Sequence, residues 1–162
     1  MADSTPTEII TRTEQYQRQV NYFDRWQRLF LLIGTFYDGF FGVALFAAPI
    51  WTTTLFHLLI PGPGKETLWV TLTGILLIIV ASCYFLAARN PSRYLGIVAI
   101  AIVGKIWSVG YYLYYVYKLG APPAFLIYAG LDFVFFFLHI WACGPDRWRR
   151  VKESFAWKDL YQ

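Results

Sequence analysis

The chain has 162 residues, of which 57% are apolar, 20% aromatic and 15% charged, against roughly 25% charged in an average soluble domain. A soluble sphere this small could not bury so much apolar side chain. Two cysteines exclude a disulfide scaffold, and 7 Trp, 12 Tyr and 14 Phe exclude a disordered chain. The net charge of +4 does not point to nucleic acid, because the basic residues flank apolar runs instead of forming a patch. These counts describe an integral membrane protein.

In chain order, residues 1–28 form a polar amphipathic segment. Thr5-Pro6-Thr7-Glu8 has the form of a capping box with proline at the first helical position. Behind it, Ile9, Tyr16, Val20, Phe23 and Phe30 recur at helical spacing, which suits a helix lying on the cytoplasmic leaflet and running into a membrane span. The segment lacks the apolar h-region of a signal peptide, so insertion is expected to rely on the first span. The transmembrane domain covers residues 29–143, with four spans at Leu29–Ala48, Thr67–Ala88, Tyr94–Tyr117 and Pro122–Cys143. A hydrocarbon core needs roughly 20 helical residues to cross, and backbone groups within lipid must pair internally, so each span is expected to be a helix. Pro49 closes the first span, Asn90-Pro91 separates the second from the third, and Pro122-Pro123 opens the fourth. The connection from Ile50 to Glu66 is too long for a tight hairpin. Its Trp51–Ile60 half reads as interfacial or re-entrant, and Pro61-Gly62-Pro63-Gly64 then reverses the chain. Residues 144–162 form a basic amphipathic tail in which Trp148, Val151 and Phe155 make a stripe. The expected fold is an all-α four-helix membrane bundle with both termini cytoplasmic.

Lys and Arg set that orientation. With the termini cytoplasmic, eleven of the 14 basic residues lie on that side, Lys65 and Lys118 lie on the other, and Lys105 falls within a span. The bias places the chain as a multi-pass protein of a bacterial cytoplasmic (inner) membrane. Tyr111, Tyr112, Tyr114, Tyr115 and Tyr117 supply an aromatic belt at the outer end of span three, and Trp26 and Trp148 mark the inner face.

Three ionisable residues fall at the centres of their spans: Asp38, Lys105 and Asp132. A charge there costs roughly 2.5–3.5 kcal/mol on insertion scales, so such groups are expected to face the bundle interior and pair. Gly34 and Gly42 share a face with Asp38 and let a neighbouring helix approach closely. Ala101, Lys105, Ser108 and Tyr112 share a face of span three and give the ammonium polar company. Fully ionised, the three central groups sum to −1, so one carboxylate pairs with Lys105 and the other takes a proton or a water. Three roles stay open for the cluster: a salt bridge fixing helix register, a relay or ligand-headgroup site, or a contact to a partner subunit.

His139 follows Asp132 by seven residues, about 10 Å along the helix axis, and reads either as a hydrogen-bonded packing residue or as a ligand or relay group. His57 falls on the opposite side of the membrane, which speaks against an intrachain bis-histidine haem site. Cys83 and Cys143 read as packing thiols. No CxxC, HExxH, GxSxG or Walker spacing occurs, so no catalytic residue and no metal site is assigned. The clustered aromatics pack or face lipid by default, and they also allow contact with lipid, a quinone or a pigment; no cofactor is assigned.

Leu32–Pro49 (LIGTFYDGFFGVALFAAP), Ala87–Arg93 (AARNPSR), Gly104–Tyr115 and Leu131-Asp132-Phe133 resemble parts of small bacterial four-helix membrane proteins of the DoxX-like kind. The resemblance covers most of the membrane region and neither tail. It implies four transmembrane helices and carries no catalytic residues across. The leading functional expectation is an accessory or structural subunit of a larger bacterial membrane complex, packing through aromatic helix faces and cytoplasmic tails. Its expected partners are membrane lipids and other membrane subunits, with no nucleic acid. The alternative is a small lipophilic-ligand-binding or proton-coupled transport protein that uses Asp38, Lys105 and Asp132. A membrane enzyme acting on lipid or quinone through Asp132 or His139 is the weaker third class.

Overall fold

The computed structural model describes the backbone of residues 6–56 and 65–155, with side chains at 14–56 and 68–144. It is all-helical, in the order α1 (Pro6–Ala47), α2 (Pro49–Leu55), α3 (Lys65–Arg89), α4 (Leu95–Leu119) and α5 (Phe125–Phe155). Four helices carry stretches long and apolar enough to cross a membrane: Glu14–Ala47, Leu68–Arg89, Leu95–Leu119 and Phe125–Gly144. Each overlaps one expected span over most of its length.

The first helix joins the amphipathic segment and the first span. α1 is unbroken over 42 residues, a rise of about 63 Å, roughly twice a hydrocarbon core. No Gly or Pro occurs between Pro6 and Gly34 to kink it. The amphipathic segment thus runs into the span as one helix. Its last turns dock on α5, where Tyr22, Phe23 and Trp26 set their rings edge-on to Trp141 at centroid distances of 6.2, 6.3 and 5.7 Å. The capping residue Thr5 lies outside the described residues.

Proline places the next boundary. Ala48 leaves helical geometry (φ −143°, ψ 63°), and Pro49 becomes the first residue of α2. The Thr52 hydroxyl, 2.8 Å from both Ala44 O and Ala48 O, ties the start of α2 back to the end of α1. α2 covers the first part of the apolar Trp51–Ile60 stretch. His57 and the Pro61-Gly62-Pro63-Gly64 reversal lie outside the described residues.

The α3–α4 turn is held by polar groups of α1. Arg28 Nη2 donates to Arg89 O at 3.2 Å, putting a cation on the C-terminal carbonyls of α3. The Ser92 hydroxyl donates to the Asp24 carboxylate at 3.1 Å, and Arg93 N–H to Asn90 Oδ1 at 3.1 Å. α4 stops at Gly120 in the left-handed region (φ 68°). Pro122 and Pro123 have no N–H but lend their carbonyls to Phe125 and Leu126, so α5 opens at Phe125, three residues later than the expected span. α5 is broken at Gly144 (φ 63°, ψ 166°), one residue past the expected end of the fourth span. Pro145 disfavours helical geometry in the residue before it, and a Cβ at 144 would lie 3.0 Å from the Phe23 ring. The helix then resumes to Phe155; the side chains of the basic stripe lie outside the described residues.

The helices pack as two close pairs, α1 along α3 and α4 along α5, joined through α1 against α5, while α3 meets α4 only sparingly. The α1–α3 crossing runs through Gly42 and Gly74, the small residues that let two backbones touch. The buried core occupies the half nearest the α3–α4 turn. There Leu31, Tyr84, Ala87, Ala88, Val98, Ala99, Ala101, Ile102 and Cys143 pack together. The other half is looser and holds the site described next.

Candidate functional site

The three central charges come together. Asp38 on α1, Lys105 on α4 and Asp132 on α5 are all buried, with side chains 5–7% exposed. Lys105 Nζ lies 2.9 Å from Asp132 Oδ1 and 3.4 Å from Asp38 Oδ1. The Asp38 contact has hydrogen-bond geometry; the shorter Asp132 contact is an ion pair whose alignment falls outside it. One ammonium thus bridges two carboxylates from helices on either side. Two rings complete its surroundings, Tyr37 with its centroid at 5.3 Å and Phe135 at 5.9 Å. The polar company expected from Ser108 and Tyr112 is arranged differently. The Ser108 hydroxyl donates to Gly104 O at 3.0 Å within its own helix, and both residues line the cavity beside the cluster.

That cavity has a volume of about 620 Å³. α1 contributes Tyr37, Asp38, Phe41 and Leu45; α3 contributes Thr73, Leu77, Val80 and Tyr84. α4 contributes Ile100, Gly104, Lys105, Trp107, Ser108, Tyr111 and Tyr112, and α5 adds Phe125, Tyr128 and Asp132. Ring contacts stiffen the wall: Phe41 packs edge-on to Tyr128 at 5.7 Å, and Tyr112 meets Phe125 at 5.7 Å. The charged cluster and the aromatic wall share one space. Chemically the arrangement combines a polar anchor with room for an apolar body.

His139 is not part of this cavity wall. It is fully buried between α1 and α5, with Nδ1 2.7 Å from the Gln27 amide nitrogen. Gln27 Nε2 can only donate, so Nδ1 accepts and the ring proton sits on Nε2. Among the described residues Nε2 has no hydrogen-bond partner. Cys143 Sγ donates to Gln27 Oε1 at 4.0 Å, extending the network. Phe135 is the link between the two sites, its centroid 6.4 Å from the His139 ring while its face approaches Lys105. Gln27→Leu should cost about 1–3 kcal/mol, because both ring nitrogens of a buried imidazole would then lack partners; equilibrium unfolding in bicelles reads this, and His139→Phe added to Gln27→Leu should recover part of it.

The glycines act where expected and at one further position. A Cβ at Gly34 would meet the Tyr84 ring at 3.2 Å, and one at Gly42 would meet Ile78 N at 2.9 Å, so both admit α3. Gly74, not anticipated, supplies the opposite surface. Its signal was available as a lone glycine at the matching depth of the second span. Gln27 was hidden because it belongs to a stretch that reads as solvated tail, and only α5 buries it. Tyr37 and Phe135 carry no polar signature that separates them from other span aromatics.

Compared with protein-family models, curated proteins and solved structures, the chain matches none. The functional reading therefore stands on the geometry of this site.

Proposed function

We propose that this membrane bundle binds a small lipophilic molecule, seating its polar head against Asp38, Lys105 and Asp132 and its apolar body among the aromatic walls. The observation that carries this reading is the continuity of the charged cluster with an aromatic-lined cavity of about 620 Å³. That volume lies within the roughly 300–1,000 Å³ of small-molecule pockets, which pair apolar walls with a few convergent polar groups. A salt bridge serving helix register alone needs no space beside it. The eleven-to-two distribution of basic residues supports a cytoplasmic membrane with both termini inside, and lipid, quinone or pigment molecules are ligands of the right character.

The test is retention of a ligand through mild purification. Wild-type protein in nanodiscs should keep a non-phospholipid molecule that solvent extraction and mass spectrometry detect. Gly104→Phe should lose it with unchanged unfolding, since a side chain at 104 projects into open space on the cavity wall. Bulk phospholipid alone in the wild type would contradict the reading.

A second reading, an accessory subunit of a larger bacterial membrane complex of the DoxX-like kind, is favoured by the broad aromatic faces turned outward. Phe36, Trp69 and Trp107 are 77%, 70% and 74% exposed. It requires the chain to co-migrate with other subunits after gentle extraction from its native membrane; migration at the mass of its own monomer or dimer counts against it.

A further inference from the structure

We propose that the cavity takes a bilayer-dissolved amphiphile carrying a single positive charge, admitted sideways from the lipid between α3 and α4. This deepens the ligand-binding reading above and rests on it.

The charge follows from the cluster itself. Asp38, Lys105 and Asp132 sum to −1 when ionised, and one ammonium contacting Oδ1 of each carboxylate cannot neutralise both. Lys105 is the only basic side chain among the residues lining the cavity. An anionic head would raise the burden to −2 at the depth where charge is most expensive, and a neutral head would leave it at −1. A monocation brings the ionised site to zero, taking the place of the proton or water that otherwise serves the second carboxylate. The walls favour the same choice, because Tyr37, Phe41, Tyr84, Tyr112 and Tyr128 are among the lining residues, and aromatic rings attract cations over their faces.

The route follows from packing. α3 and α4 meet sparingly, and their buried contacts are the alanine-rich ones near the turn. On the cavity's α4 lip, Ile100 and Trp107 are 62% and 74% exposed, so this wall reaches the outward-facing side of the helix. Gly104 lies one turn from each, and a Cβ there would meet nothing within 4 Å. The missing side chain leaves the lip open towards the lipid, so the substrate class is one that already partitions into a membrane.

The experiment uses full-length protein in phospholipid vesicles and three diazirine-tagged probes of equal alkyl chain, ending in trimethylammonium, hydroxyl or sulfonate. After irradiation, labelling of α3 and α4 peptides is quantified by mass spectrometry. The ammonium probe should label the wild-type cavity at least about ten-fold more than the sulfonate, and more than the alcohol. Gly104→Phe should lower ammonium labelling about ten-fold with unchanged unfolding. Asp132→Asn, or Asp38→Asn if that variant fails to fold, should bring ammonium and alcohol labelling to parity while alcohol labelling persists. Equal labelling by all three heads in the wild type overturns the charge assignment and leaves the ligand-binding reading intact. Undiminished labelling of Gly104→Phe overturns the lateral route. Failure of every probe to label the cavity overturns the ligand-binding reading itself.

Discussion

Lys105→Met should destabilise the bundle by about 3–5 kcal/mol, the range for removing one partner of a buried ion pair. The substitution keeps an unbranched apolar stem of nearly the same reach and removes the ammonium. It leaves Asp38 and Asp132, with side chains 5–6% exposed, facing each other without a cation. Two carboxylates from α1 and α5 then share a space of low dielectric, and the α1–α5 contact that joins the two helix pairs takes the strain. Asp38→Asn and Asp132→Asn should each act far more weakly, because either leaves one carboxylate opposite one ammonium. Lys105→Met combined with both asparagine changes should recover most of the loss, as when a buried ion cluster is replaced by neutral groups. Unfolding in bicelles followed by tryptophan fluorescence measures all four variants. A loss below about 1 kcal/mol for Lys105→Met would mean that its charge is solvated and not buried.

Gly74→Ala should cost about 1–3 kcal/mol or more, the range for overpacking a filled interface. The added Cβ would lie 2.7 Å from Phe46 N, 2.8 Å from Gly42 O and 3.1 Å from Leu45 C. All three are backbone atoms, so no rotamer change relieves the clash and α1 must move away from α3. Gly42→Ala meets Ile78 N at 2.9 Å and Gly74 O at 3.0 Å and should behave alike. Gly104→Ala is the control: with nothing within 4 Å it should be neutral or slightly stabilising. The same unfolding assay separates the two classes. Equal effects at 74 and 104 would rule out a glycine-mediated α1–α3 crossing.

Features governed by local chemistry were readable in the sequence. Apolar length and the positions of Pro49, Asn90-Pro91 and Pro122-Pro123 marked four helices, because proline and hydrocarbon thickness act within a few residues. The meeting of Asp38, Lys105 and Asp132 was readable for a similar reason: a charge at the centre of an apolar span has few solutions besides another charge. Features that depend on a second helix were not. The packing of Tyr22, Phe23 and Trp26 on α1 depends on Trp141 of α5, which no spacing within α1 announces. Gln27 changes from tail residue to buried hydrogen-bond donor only because His139 stands opposite. The cavity is a space between α1, α3, α4 and α5, and no residue type announces it. Even the small residues were half legible, since Gly42 was visible as a contact surface while its partner Gly74 required the crossing itself.

The central claim is that one ammonium bridges two carboxylates between α1, α4 and α5. Dipolar-recoupling solid-state NMR on protein in lipid bilayers, with 15N at lysine Nζ and 13C at aspartate Cγ, tests it directly. The account predicts that two carboxyl carbons dephase strongly against a lysine nitrogen, that Lys105→Met abolishes both signals, and that Asp38→Asn and Asp132→Asn each remove one. Absence of that dephasing in folded wild-type protein, or its survival in Lys105→Met, would contradict it.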